Sequence, residues 1–261
     1  MVSRFPILKL ALILSTLLAV AVLSAGQDAG VSKSKKPYTR NGSEVTLSGT
    51  VSLTGKRPKP RKIDTSADPA CTQASPNLAT EWVSGHKGKL ANVFVYVKSA
   101  ALDAYAFEMP DATAILEHKG CRFVPHLLGL RVGQQLVVVN SDVTTHNTHP
   151  TPKVNPEWNR SQSAGGDPIT SSFKRSEVFI PFKCNQHPWE KAYVGVFDHP
   201  FFAITDADGN YRIEGLPPGQ YTVVAWHELF GEKTLDLTFV AGELRDASFT
   251  FDAEQDVSIP R

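Results

Sequence analysis

Between residues 45 and 253 the chain reads as short runs of alternating apolar and polar residues, each cut off by Gly, Pro, Asp or Asn. No segment keeps the spacing of three and four that an amphipathic helix needs. Val45, Leu47, Gly49, Val51 and Leu53 alternate up to a Thr54-Gly55 turn, and Ala91 to Val97 is a second β run. Strands are also predicted over Thr113 to Leu116, Cys121 to Val124, Leu127 to Val132, Gln135 to Val139, Ser176 to Phe182 and Ala192 to Phe197. Lys56 to Lys62, rich in Pro and Lys, reads as loop, and His149 to Ser172 as one long loop without period. The pattern therefore predicts an all-β protein of sandwiches or barrels.

The first residues carry a different signal. Arg4 and Lys9 accompany an apolar run from Leu10 to Leu23 that closes on Ser24-Ala25-Gly26. The run is shorter than the ~20 residues of a membrane span. Residues 1–25 thus read as a cleaved export signal, with a periplasmic or secreted product and no membrane span after cleavage. Residues 26–44, with the basic cluster Lys33 to Lys36, read as a flexible linker, and 254–261 as a tail. Charge is balanced, 27 Lys+Arg against 26 Asp+Glu, which gives no nucleic-acid footprint.

Chemistry concentrates in two short segments. Cys184-Asn185-Gln186-His187-Pro188-Trp189-Glu190 follows the apolar run Val178 to Phe182. Asn140-Ser141-Asp142-Val143-Thr144-Thr145-His146-Asn147 follows Leu136 to Val139. One Cys and two His, delivered from the ends of two β segments, are the ligand types of a trigonal copper–thiolate site. His149 is the alternative upstream ligand, but it precedes Pro150 and opens the long loop. Three cysteines in an exported chain leave one over. With Cys184 free, Cys71 and Cys121 are the natural disulfide; the alternative is three separate thiols.

Signals of an enzyme are few. There is no Gly-x-Ser-x-Gly elbow, and His227-Glu228 lacks the second helical histidine of a zinc protease. Asp206-Ala207-Asp208-Gly209 lacks the trailing Glu of a calcium loop and reads as a turn. A nucleophilic Cys184 beside His187 is conceivable, yet a spacing of three at a strand end suits shared ligation of a metal better. The chain reads as a protein without catalytic residues.

Two family resemblances follow from these residues. Thr205-Asp206-Ala207-Asp208-Gly209-Asn210-Tyr211 and Leu216-Pro217-Pro218-Gly219-Gln220-Tyr221 resemble the carboxypeptidase regulatory-like, transthyretin-like β-sandwich, a binding or structural module. Ser48-Gly49-Thr50-Val51 and Ala91 to Val97 resemble that family's opening strands, so 45–110 would complete the sandwich of 201–253; two tandem modules are the alternative. Val132-Gly133-Gln134, Asn140, His146-Asn147 and Cys184-x-x-His187-Pro188-Trp189 resemble the cupredoxins, nearest the amicyanin and plastocyanin-like branch, over 111–200. This second resemblance implies a Greek-key β-sandwich with His146, Cys184 and His187 as equatorial copper ligands.

It further implies that Asn147 and Asn140 support the ligands, and that Pro188 and Trp189 form an apolar docking patch beside an exposed edge of His187. A redox partner protein in the cell envelope would dock there. One departure matters: where the family has a weak axial Met, this chain has Glu190. A carboxylate favours Cu(II) over Cu(I) and brings the set closer to what zinc accepts. The expected function is single-electron transfer or copper handling. The alternative is a non-redox, carbohydrate-binding-like interaction module with a zinc-filled or vestigial site.

Overall fold

The computed structural model describes residues 1–2, 35–80 and 83–256. The expected export segment, the linker up to residue 34 and the tail beyond residue 256 lie outside the described residues. The chain opens with β1 (Lys36–Pro37), β2 (Val45–Thr54), a short helix α1 (Pro69–Ala74), β3 (Phe94–Lys98) and β4 (Tyr105–Ala106). Next come β5 (Ala114–His118), β6 (Phe123–Val124), β7 (Leu127–Arg131), β8 (Leu136–Asn140) and β9 (His146–Pro150). They are followed by β10 (Arg160–Gln162), β11 (Ile169–Ser171), β12 (Glu177–Lys183) and β13 (Lys191–Phe197). The last six are β14 (Phe202–Ile204), β15 (Asn210–Leu216), β16 (Gly219–His227), β17 (Gly231–Phe239), β18 (Leu244–Asp246) and β19 (Phe249–Asp252). Among the described residues no helix is long and apolar enough to cross a membrane.

These strands form two sandwiches. In one, the sheet β11-β8-β5-β6 faces the sheet β10-β9-β12-β13-β7 across a core of Leu116, Leu130, Val138, Ile180, Phe182 and Val194. In the other, β14-β3-β16-β17 faces β15-β2-β18, with β19 also on β2, across Leu47, Val51, Val95, Val223, Tyr211 and Phe251. β2 pairs antiparallel with β15 and parallel with β18 and β19. β3 pairs with β14 and β16. The second sandwich is therefore interrupted: β5 to β13 lie between its early and late strands.

A third apolar layer joins the two. Phe94 and Tyr96 project from the face of β3 opposite Val95, and pack with Val224, Leu127 and Phe197. This is why β3 is buried on both faces and reads as a continuous apolar run. Phe179 sits at a bulge of β12 with φ +63°, and its ring stacks on Trp226 at 3.9 Å and 11°. Gly129 and Gly195 pair across β7 and β13. A Cβ on Gly129 would lie 2.3 Å from the Phe202 ring, and one on Gly195 2.7 Å from Phe197. The missing side chains let aromatic rings press onto the sheet. Trp226 thus fills this inter-sandwich layer rather than covering the ligand loop.

The segment from His149 to Ser172 is not one loop, because it holds the end of β9, β10 and β11. β9 buries His146, Asn147 and Thr148 in succession, so three of its four buried positions are polar and leave no hydrophobic alternation to read. α1 was not expected either. Asp68 caps it, accepting from the N–H of Ala70 at 2.8 Å, and Pro69 occupies the first turn. Cys71 of α1 forms the disulfide with Cys121, closing a separation of 50 residues. A loop of that size contributes about 4 kcal/mol in the chain-entropy account.

Candidate metal centre

One end of the first sandwich gathers the ends of β5, β8, β9 and β12. β5 and β8 run parallel with His118 opposite Asn140. Asn140 then pins the turn that follows it: its amide donates to the carbonyls of Thr144, Gln162 and Ser163, and its Oδ1 accepts from the N–H of Asp142. That turn delivers His146. On the other side β12 ends at Lys183, and the loop Cys184 to Glu190 is closed by Cys184 N–H on Glu190 O and Glu190 N–H on His187 O.

The side chains of His146, Cys184, His187 and Glu190 converge there, all buried, with one ligand atom each within 4.8 Å of every other. His146 Nδ1 lies 3.0 Å from His187 Nδ1 and 2.8 Å from Glu190 Oε2. Cys184 Sγ lies 3.6 Å from His187 Nδ1 and 3.9 Å from His146 Nδ1. A tetrahedral ion with bonds of roughly 2.0–2.3 Å holds its donors about 3.3–3.8 Å apart, so the set needs little movement to close on one. Asn147 supports the sulfur. Its N–H donates to Cys184 Sγ at 3.4 Å, and its Oδ1 accepts from Asn185 N–H at 2.7 Å and Gln186 N–H at 3.3 Å.

Both imidazoles are held from behind. Asp142 Oδ2 lies 3.0 Å from His146 Nε2, and Asp68 Oδ2 lies 3.0 Å from His187 Nε2. A carboxylate there keeps the proton on Nε2 and turns the Nδ1 lone pair inward, the usual support of a metal-bound histidine. Burial pulls the His146 pKa down, but Asp142, Cys184 and Glu190 outweigh it and push it up to about 11. A cation bound at Nδ1 would take the place of a proton there. Burial raises Asp68, yet Thr144, His187 and the amides of Ala70 and Cys71 hold it down to about 2. Glu190 is likewise lowered: burial opposes ionisation, and His118 and His146 overcome it. Acidic groups surround a buried pair of imidazoles, which is what a cation site requires.

His118 escaped the sequence analysis. It is fully buried, its Nδ1 lies 2.6 Å from Glu190 Oε1, its Nε2 lies 2.9 Å from Thr148 Oγ1, and its ring stacks on His146. It fixes the oxygen of Glu190 that faces away from the other three donors. The only signal was a histidine ending an apolar strand. Asp142, four residues before His146, and Asp68, before Pro69, were readable as acids but not as partners of the histidines.

The expected exposed edge of His187 is absent. Asp68, the N-cap of α1, lies against its Nε2, and His187 is 3 % exposed. Pro188 is exposed and Trp189 half-buried, with Trp189 Nε1–H donating to Cys121 O at 3.0 Å. The patch thus exists without the histidine edge it was expected to frame. Gln186 is exposed. His149 lies on β9 outside the cluster, its ring bonded to Asn185 and Glu157.

No curated protein matches the chain. Three solved structures show what it is similar to. A copper-containing nitrite reductase from Thermus scotoductus SA-01 is 19% identical over 35% of this chain and 24% of its own, with a TM-score of 0.31. A purple cupredoxin from Nitrosopumilus maritimus is 21% identical over 32% and 99%, with a TM-score of 0.28. A reduced amicyanin variant is 18% identical over 34% and 87%, with a TM-score of 0.30. The chain spans about a quarter of the nitrite reductase. Residues 185–252 match the carboxypeptidase regulatory-like domain, a stretch that begins in the ligand loop, takes in β13 and runs to the end of β19.

Proposed function

We propose that this is an exported copper-binding protein of the cupredoxin kind, acting in copper handling or single-electron transfer. The observation that carries it is the convergence of Cys184, His146, His187 and Glu190 in a buried cluster whose two histidines each have Nε2 against a carboxylate. A copper ion bound there would exchange one electron without bond chemistry. His146 and His187 present Nδ1, Cys184 its sulfur, and Glu190 the Oε2 that His118 leaves free. Asn147 holds the ligand loop, and the closed sandwich end keeps bulk water from the donors. In this reading the protein is a carrier and not a catalyst.

Burial of His187 favours copper handling over transient docking at its edge. A redox partner in the cell envelope would approach by Pro188 and Trp189, whose indole lies 5.2 Å from the His187 ring. Buried Glu190, gripped by His118, supports one second reading: a set of Cys, two His and Glu is acceptable to zinc as a closed site, in an envelope interaction module. Copper titration with visible and EPR spectroscopy, beside Cys184→Ser, separates the two. A thiolate-to-copper charge-transfer band lost in the variant supports the copper reading. Absence of that band, with zinc retained, overturns it.

A further inference from the structure

The two carboxylates that hold the histidines belong to segments far apart in sequence, yet both are fixed beside the two halves of one disulfide. Asp68 caps α1 and accepts on Oδ1 from the N–H of Ala70 at 2.8 Å and of Cys71 at 3.4 Å, while its Oδ2 faces His187. Asp142 accepts on Oδ1 from Gly120 N–H at 2.6 Å and on Oδ2 from Cys121 N–H at 2.8 Å, and the same Oδ2 faces His146. Each half-cystine therefore offers its own amide to one of the two carboxylates. Three more bonds tie the segments: Thr144 Oγ1–H to Asp68 Oδ2 at 2.7 Å, Ser75 Oγ–H to Gly120 O at 2.9 Å, and Trp189 Nε1–H to Cys121 O. Cys121 holds φ +57°, the left-handed conformation that non-glycine residues rarely adopt, and both sulfurs are buried.

We infer that the Cys71–Cys121 disulfide is a positioning device for the metal centre, holding Asp68 and Asp142 in register so that both imidazoles present Nδ1 to one point. The inference rests on the proposed metal site, but its geometry is carried by residues of this chain alone. Asp68 caps the helix that carries Cys71, and Asp142 pins the turn that carries Cys121, so the disulfide joins the two segments that hold the carboxylates. The device acts on orientation. With the bond gone, α1 and the 119–122 turn are tied only by hydrogen bonds such as that from Ser75 to Gly120, Asp68 is freer to move off His187, and the ring is freer to take either tautomer.

The test uses the intact protein with Cys71→Ala/Cys121→Ala and, separately, Asp68→Asn. Two readouts are taken: affinity for cobalt(II) alone, by its thiolate charge-transfer band, and the tautomer of His187 in the metal-free protein, by ¹⁵N NMR of the ring. Wild type is expected to show Nε2–H at His187. The disulfide-free variant, folded by a cooperative melt, should bind cobalt roughly 10–100-fold more weakly and show mixed tautomers. Asp68→Asn, with the disulfide intact, should turn His187 toward Nδ1–H, because an amide N–H then faces Nε2. A folded disulfide-free variant with wild-type affinity and pure Nε2–H overturns the inference. Where that variant does not fold, an unchanged tautomer and affinity in Asp68→Asn overturn it instead. Failure of wild type to bind cobalt or copper sinks the proposed function, while the metal-free tautomer still decides this inference.

Discussion

His118 and Glu190 form a buried pair, Nδ1 to Oε1 at 2.6 Å, behind the candidate metal cluster. Neither side chain is exposed at all. The pair divides the work of one carboxylate: Oε1 is spent on His118, and Oε2 is left facing His146 and His187. His118→Ala removes a partner from a buried charge, which typically costs about 3 kcal/mol or more. Urea unfolding of the metal-free protein should show a loss of that order. His118→Phe combined with Glu190→Gln should recover part of it, since no unpaired carboxylate is then left buried. Equal stabilities of the single and double variants would refute the pairing as the cause.

Phe179 is held at φ +63° and uses that conformation to stack on Trp226. Phe179→Ala should cost about 3 kcal/mol through the lost ring. Glycine at the same site loses the same ring but relieves a left-handed backbone that costs roughly 1–2 kcal/mol. Phe179→Gly should therefore be no less stable than Phe179→Ala, although glycine within a strand is ordinarily the worse choice. Denaturant midpoints of the two variants check the order.

Gly129 faces the Phe202 ring closely enough that a methyl group would overlap it. Gly129→Ala should destabilise by about 1–3 kcal/mol as ring or strand shifts. Gly129→Ala/Phe202→Leu, which shortens the opposing side chain, should recover part of the loss. An additive double variant, measured by thermal unfolding, would show that the two positions do not interact.

His199 sits beside Arg131 at the junction of the sandwiches, with its Nδ1 accepting from Phe201 N–H at 3.2 Å. Burial chiefly, with Arg131 adding to it, pulls its pKa down to about 4. The unfolded chain takes up this proton near pH 6.5 and the folded chain only near 4. Between these values the unfolded state binds more protons, so stability falls as pH drops through that window. The contribution is complete above pH 6.5 and is of order 2 kcal/mol, discounted for a ring in partial contact with water. Urea midpoints at pH 7 and pH 4.5 should fall less in His199→Gln than in wild type.

Strand alternation was legible wherever the buried face is apolar, as along β2, β12 and β15. It failed along β9, where His146, Asn147 and Thr148 are buried in succession and the burial follows no apolar alternation. Among the candidate donors, Cys184, His187 and His146 were readable because spacing and strand ends place them. The groups behind them were not. His118, Asp68 and Asp142 act on the histidines across 72, 119 and 4 residues, counting His118 through Glu190. Only Asp142 is local enough for sequence to hint at it, and no periodicity records which acid turns toward which ring. The cover over His187 was missed because the helix that Asp68 caps was not expected, although the Cys71–Cys121 disulfide was.

The interrupted sandwich also sets the order in which the chain becomes native. Thr50 N–H on β2 bonds to Ser248 Oγ, 198 residues away, and Tyr38 OH bonds to Gly215 O across 177. During synthesis β2 emerges with Val45, Leu47, Val51 and Leu53 unpartnered, and waits while β5 to β13 are made. Contacts of such separation form late and slowly, so an early apolar strand stands exposed to wrong pairing until β15, β18 and β19 arrive. The ribosome thus completes the lobe with the candidate metal centre before the lobe that flanks it, and a chain cut short before β15 would leave β2 without its partners.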